Sequence, residues 1–134
     1  MSEITIPAQP EHLYNVLAFV GEAMRDAGIS EINQNNINIA VEEIFVNIAS
    51  YAYPDGEGDI DVRLSAGSGQ ITVEFRDGGT PYDPLAKPDP DTSLSAMERD
   101  IGGLGILIVK KLMDHVEYRY ENNMNTLLIQ KATR

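Results

Sequence analysis

The sequence has no cysteine, no tryptophan and a shortage of cations: Lys and Arg total 10 against 21 Asp and Glu, a formal net charge of −11. Without cysteine there are no disulfides, no thiolate metal site and no Cys nucleophile. With so few cations, no basic face can be assembled to neutralise phosphates, which argues against direct nucleic-acid binding. No apolar run reaches the length of a membrane span, and the opening MSEITIPAQP lacks the basic and hydrophobic regions of a signal peptide. The expected location is the cytoplasm, with no membrane partner. What the chain does have is 134 residues, 43% of them hydrophobic. That is enough for one globular domain, read here as spanning residues 1–134.

There is no internal repeat. EITIP reads as a first strand. Pro10 suits the first turn of a helix on which Leu13, Val16, Leu17, Val20, Met24 and Ala27 recur at helical spacing, with Gly28 as its stop. Ser30 is an N-cap candidate for a second helix running to about Tyr53, where Pro54-Asp55-Gly56 ends it. Ile60, Val62 and Leu64 alternate with polar residues, GSGQ turns the chain, and Ile71, Val73 and Phe75 alternate again: a hairpin. Residues 78–101 hold four prolines and few apolar side chains, a long loop with a helical turn near SAMER. A third helix over LGILIVKKLMDH and a second hairpin, VEYRYE-NNMN-TLLIQKA, complete the chain. This order predicts an α+β two-layer sandwich, with three helices on one face of a mixed, mostly antiparallel sheet.

The second helix carries an anomaly. On a helical wheel with Ala40 at zero, Ile37, Val41, Ile44, Phe45, Ile48 and Ala52 fall between about 40° and 140°, the core stripe. Asn35, Asn38 and Glu42 make a polar face. Glu43 and Asn47 fall near ~300° and ~340°, away from Glu42 and four residues apart, so they share a face. Two ordinary groups on a wet helix edge would satisfy the pattern. So would a pair pointing into a cleft, where the carboxylate polarises a hydroxyl or water and the amide oxygen helps coordinate Mg²⁺. Magnesium takes few protein oxygens and fills its shell with water and phosphate.

Two later stretches bear on that choice. FRDGGTP, Phe75 to Pro81, ends a strand with an acid followed by glycines. Asp77 can accept from an exocyclic amine, and the glycines admit close backbone approach. Asp-Gly is also a hairpin signal, but here the Pro-rich segment follows, not a partner strand. IGGLGI, Ile101 to Ile106, opens the third helix with glycines, where N–H groups and the helix dipole attract an anion; a flexible join gives the same pattern. The two commoner nucleotide motifs, GxxxxGK[ST] and GxGxxG, are absent.

AVEEIFVNIASYAY, DGGTP and GGLGILIVKKLMD, in that order, resemble the N box and two glycine boxes of the Bergerat-fold ATPases, which include gyrase, MutL, the ninety-kilodalton heat-shock chaperone and histidine kinases. The short length, small lid and form of the third helix are most similar to the stand-alone anti-sigma-factor serine/threonine kinases. The resemblance runs from about Ile4 to Lys131. It implies that Glu43 is the general base and that Asn47 coordinates Mg²⁺ on the ATP phosphates. It implies that Asp77 accepts from the adenine amine, with Gly79 making room for the base and Thr126 nearby. Residues 80–101 would form the ATP lid, and the backbone of Gly102, Gly103 and Gly105 would meet the phosphates. Arg99 would reach the terminal phosphate, although its spacing to the glycines departs from the family form. Tyr51 stands where the family often has His, and Ile48 where Ala commonly follows the Asn.

The implied activity is transfer of the γ-phosphoryl group of ATP to a Ser or Thr of a small antagonist protein, alternating with capture of a sigma factor or similar regulator. The family suggests a homodimer. The alternative is a nucleotide-binding module that sequesters a regulator without transferring phosphate. A third is a catalytic fragment of a larger sensor, against which the N-terminal helix pair and apparent completeness count. Glu43 favours the enzyme, because binding alone needs no base.

Overall fold

The computed structural model describes residues 2–54, 56–86 and 101–134, and of residues 101–104 the backbone only. Its elements are β1 (Ser2–Pro7), a 3-10 turn (Pro10–His12), α1 (Leu13–Asp26), α2 (Glu31–Tyr51), β2 (Asp59–Gly67), β3 (Gln70–Asp77), α3 (Ile101–Leu112), β4 (His115–Glu121) and β5 (Met124–Ala132). The strands form one sheet in the order β1-β2-β3-β5-β4, and each of its ladders is antiparallel.

Alternation in the strands decides which face is covered. Ile60, Val62 and Leu64 of β2 stand opposite Asp77, Phe75 and Val73 of β3, which stand opposite Asn125, Leu127 and Ile129 of β5. All nine are buried. The intervening residues, among them Asp61, Arg63, Glu74 and Arg76, lie on the other face. There Arg119 fans out to Glu74, Glu117 and Glu121. The apolar face is covered by the helices, with α2 touching both α1 and α3.

The local chemistry explains the ends of the elements. Gly28 takes φ +70° after α1. Its N–H reaches the carbonyl of Arg25 while the N–H of Ile29 reaches that of Met24, a Schellman closure that needs the left-handed residue. Ser30 then caps α2, its hydroxyl accepting from the N–H of Asn33. The two hairpins turn on Ser68-Gly69 and Asn122-Asn123, all four with positive φ, as tight two-residue turns require. α2 buries Ile37, Ala40, Val41, Ile44 and Phe45. Its solvent side shows Ile32, Ile39 and Val46.

Three boundaries differ from the sequence reading. α3 starts at Ile101, so Gly102 and Gly103 lie within its first turn, and it stops at Leu112 because Asp114 already donates to the carbonyl of Gln130. β5 starts at Met124, within the stretch read as a turn. Residues 80–86, the first part of the expected lid, have a defined course: Pro84 is buried, and Leu85 packs on the core with its N–H bound to the Asp83 carboxylate. The rest of the expected lid, including SAMER and Arg99, lies outside the described residues.

Phe75 sits at the centre of the sheet with no exposed surface, whereas Ile32 is 69% exposed. Phe75→Ala is expected to lower the unfolding free energy by about 3–5 kcal/mol. Ile32→Ala should stay within about 0.5 kcal/mol of the parent. Urea denaturation compares them, and similar losses in both would refute this placement of the core.

Candidate nucleotide site

A cleft opens between α2 and α3 and runs down to the end of β3. Its outer chamber, about 670 Å³ and partly open to solvent, is lined by Glu43, Asn47, Ser50, Gly105, Ile106 and Val109 among others. Its inner chamber, about 430 Å³, is lined by Tyr51, Phe75, Asp77, Tyr82, Tyr118 and Asn125 among others. Ile44, Asn47, Tyr51 and Leu127 belong to both, so the chambers are continuous.

The α2 wall separates the two adjacent acids as helical geometry requires. Glu42 is exposed; Glu43 is half-buried and faces the cleft. The Glu43 carboxylate lies against the backbone of Gly105. A Cβ built on that glycine would come within 2.7 Å of Glu43 Oε2, so any larger residue would push the acid aside. Asn47 follows one turn later and faces both chambers. Neither Glu43 nor Asn47 has a side-chain partner among the described residues.

At the inner end, Asp77 is 4% exposed. Burial pushes its carboxyl above the ordinary carboxylate range, opposed by hydrogen bonds from Asn125 and from the Gly79 backbone. Asn125 Nδ2 donates to Asp77 Oδ1 at 3.0 Å, and the N–H of Gly79 donates to the same oxygen at 2.9 Å. The loop after β3 is pinned to the end of α2. Thr80 N–H donates to the carbonyl of Ala52 at 2.8 Å. Gly78 N–H donates to the Tyr53 hydroxyl, which donates in turn to the carbonyl of Asp59. Burial also pushes the Tyr53 hydroxyl above its ordinary range.

The structure thus brings Glu43, Asn47, Asp77 and Gly105 to one cleft. Gly102 and Gly103 lie in the backbone of α3 just before Gly105, and Arg99 is outside the described residues. One expected position needs correction, Thr126, and another, Gly79, has a further constraint. Gly79, expected to make room for a base, also lies against α2: a Cβ there would clash with the carbonyl oxygen of Ala52. Glycine is needed at this position for the loop to close on α2. Thr126 was expected near the base, but it pairs with Arg76 and Arg119, one residue out of phase with Asp77. It is therefore on the opposite face of the sheet. The residue opposite Asp77 is Asn125, which the sequence reading assigned to a turn. Tyr82 and Tyr118 were also missed. Tyr82 lies 6.4 Å from Tyr51, ring centre to ring centre, with the planes inclined at 31°.

The arrangement suits an adenine nucleotide. A buried acceptor and aromatic walls lie at the inner end, and a carboxylate and an amide meet the helix backbone at the outer end. Among the described residues no three His, Cys, Asp or Glu side chains cluster to hold a metal. A cation here would rest on Asn47 together with ligand oxygens and water, which is how magnesium is commonly bound.

Comparison with known proteins agrees with this geometry. The family model described as "Histidine kinase-like ATPase domain" matches residues 6–131. The chain is 29% identical over 131 residues to Serine-protein kinase RsbW of Listeria monocytogenes serovar 1/2a, spanning 93% of this chain and 83% of that protein. It is 26% identical over 137 residues to Serine-protein kinase RsbW of Bacillus cereus, spanning 98% and 85%. Among solved structures, the RsbU and RsbW domains of Rv1364c from Mycobacterium tuberculosis superpose with a TM-score of 0.65 at 15% identity, covering 98% of this chain and 32% of that one. The catalytic domain of histidine kinase ThkA superposes with a TM-score of 0.57 at 12% identity, covering 99% and 98%. With a family model matched over nearly its whole length and the same fold in both solved structures, the chain belongs to the histidine kinase-like ATPase domain family.

Proposed function

We propose that the protein is an ATP-dependent serine/threonine kinase of the anti-sigma-factor type. Its substrate is a Ser or Thr hydroxyl on a small antagonist protein, and its other partner is a sigma factor or similar regulator. It works as a homodimer. The observation that carries the reading is the Glu43–Asn47 pair, without side-chain partners among the described residues, with Glu43 set against the Gly105 backbone in a cleft that continues to the buried Asp77. The names of the two RsbW relatives support the serine chemistry.

In this reading the inner chamber takes the adenine and Asp77 accepts from its exocyclic amine. The triphosphate extends along α2 towards Gly105, with Gly102 and Gly103 of the first turn of α3 meeting the phosphates. Mg²⁺ at the Asn47 amide oxygen supplies charge neutralisation for the phosphates. Glu43 accepts the proton of the attacking hydroxyl. As the hydroxyl oxygen bonds to the γ-phosphorus, the bond from that phosphorus to the β–γ bridging oxygen breaks, and ADP leaves. Glu43 acts as a positioned base, held at the angle fixed by its turn of α2 and by the absence of a side chain at Gly105.

Two outcomes follow. Asp77→Asn removes a charge whose burial is costly, and its amide oxygen can still accept from Asn125 and Gly79. A carboxyl whose native pKa is raised favours folding most when protonated, and loses that contribution as pH rises through the native value. Once ionised, the buried Asp77 therefore contributes less to folding than an uncharged side chain in the same place. The variant is expected to melt no lower than the parent while its ATP affinity falls by about 1.5–3 kcal/mol, the worth of a charge-assisted hydrogen bond. Calorimetric titration with Mg-ATP alongside thermal melting checks both, and unchanged affinity would remove the adenine assignment.

Glu43→Gln keeps size and hydrogen bonding but cannot take the proton. Transfer from γ-labelled ATP to a co-purifying protein should fall by ~10²–10⁴ while ATP affinity holds. A wild type that binds ATP yet labels no protein would instead identify a sequestering module.

A further inference from the structure

Asn125 makes more side-chain hydrogen bonds than any other described residue of the inner chamber, and no part of the family resemblance assigned it a role. It is 7% exposed at the start of β5, directly opposite Asp77. Its Nδ2 donates to Asp77 Oδ1 and to the carbonyl of Thr80, both at 3.0 Å, and lies 3.4 Å from the carbonyl of Gly79. Its Oδ1 accepts from the Tyr118 hydroxyl and, at 3.2 Å, from the N–H of Tyr82. This pattern fixes the amide orientation without ambiguity. Turned over, the amide nitrogen would face the Tyr82 N–H, donor against donor, and the oxygen would face a carboxylate and two carbonyls.

The consequence falls on Asp77. With Asn125 and Gly79 both donating to Oδ1, that oxygen is occupied, and Oδ2 has no partner among the described residues. The carboxylate is held in one rotation, with one oxygen available to a ligand. We propose that Asn125 is a positioning residue that sets nucleobase specificity: by holding Asp77 Oδ1 it presents Oδ2 as a fixed acceptor that takes an exocyclic amine and rejects a carbonyl oxygen. A 6-aminopurine then fits, and a 6-oxopurine brings oxygen against oxygen. Without Asn125 the carboxyl can rotate, and it takes up a proton at higher pH. The protonated form donates to a carbonyl, so discrimination falls along with affinity.

This inference rests on the nucleotide-binding reading, and the test separates the two. The titratable groups facing Asp77 are the phenols of Tyr53 at the end of α2, Tyr82 in the loop and Tyr118 in β4. Burial pushes the Tyr53 and Tyr118 hydroxyls above their ordinary range, further from acid pH. The carboxylates of Asp59 and Asp83 lie beyond Tyr53 and Tyr118, and Ile60 faces Asp77 from β2. An acid limb in the affinity that moves when Asn125 is changed therefore reports Asp77.

The experiment measures Kd for Mg-ATP and Mg-GTP across pH 5 to pH 8, roughly the range over which a raised carboxyl pKa shows, in wild type, Asn125→Ala and Tyr118→Phe. For Asn125→Ala the expected result is ATP binding weakened about tenfold, GTP binding weakened less, and the acid limb moved to higher pH. Loss of packing alone weakens both nucleotides equally and leaves the limb in place, and that result would overturn the inference. Should Asn125→Ala not fold, Tyr118→Phe carries the test, since it removes one of the two donors that lock the amide. A lowered ATP-to-GTP preference there supports the role, and an unchanged preference and limb overturn it. A wild type that binds neither nucleotide defeats the functional reading itself. A wild type that binds ATP, with variants that keep its preference and pH limb, defeats only the role given to Asn125.

Discussion

The structure depends on keeping one carboxylate, Asp77, out of water at the end of the central strand. An unpaired ion in that position is expensive, so the surrounding chain must supply donors. Those donors come from two directions. Asn125 crosses from β5, and the Gly79 N–H arrives from the loop that follows β3. For Gly79 to reach Oδ1 the loop must turn back sharply, which presses its backbone onto Ala52 and excludes any side chain at position 79. The same turn delivers Thr80 to the last turn of α2 and brings the Tyr82 N–H to Asn125. The course of residues 78–82 is thus a consequence of satisfying one buried acid.

The cleft has no lysine or arginine among its described lining residues. In a chain of net charge −11 an anionic ligand must therefore be held by other means: aromatic and aliphatic walls for its neutral part, and backbone N–H groups and a cation for its charged part. The two chambers divide that work. Phe75, Tyr82 and Tyr118 wall the inner one around Asp77 and Asn125, while Glu43, Asn47 and the Gly105 backbone share the outer one with Ile44, Ile106 and Val109.

How far the sequence reveals this follows from the range of the interactions involved. Period-two alternation exposed the strands and period 3.6 exposed the core stripe of α2. Both arise from burying neighbouring side chains on one face. The wheel also separated Glu43 from Glu42, because a step of one residue rotates a side chain by about 100°. Asn125 was hidden for the opposite reason. NNMN has the composition of a turn, but only Asn122 and Asn123 adopt the positive φ of one, and pairing with β3 draws Met124 and Asn125 into the strand. Placing Thr126 beside Asp77 required the register to within one residue, and a one-residue error reverses the face. The partners of Tyr82 and Tyr118 are set by tertiary closure, which leaves no local pattern.

The remaining constraint is one of length, and α2 sets it. The middle of this helix carries Glu43 and Asn47. Ala52 and Tyr53, which follow directly on its C-terminal end, hold the loop after Asp77. Nine residues separate Glu43 from Ala52, about 13 Å along an α-helix. That is the scale of a nucleoside triphosphate extended from base to terminal phosphate. No proline or glycine interrupts α2 between Glu31 and Tyr51, so nothing in its covalent structure invites a kink that would shorten the interval. The helix is therefore the central element of the core and, in the proposed mechanism, the spacer between base recognition and chemistry. Its core face tolerates hydrophobic exchange of similar volume, whereas an inserted or deleted residue between positions 43 and 52 would rotate Glu43 relative to the base chamber by about 100° and point it away from the cleft.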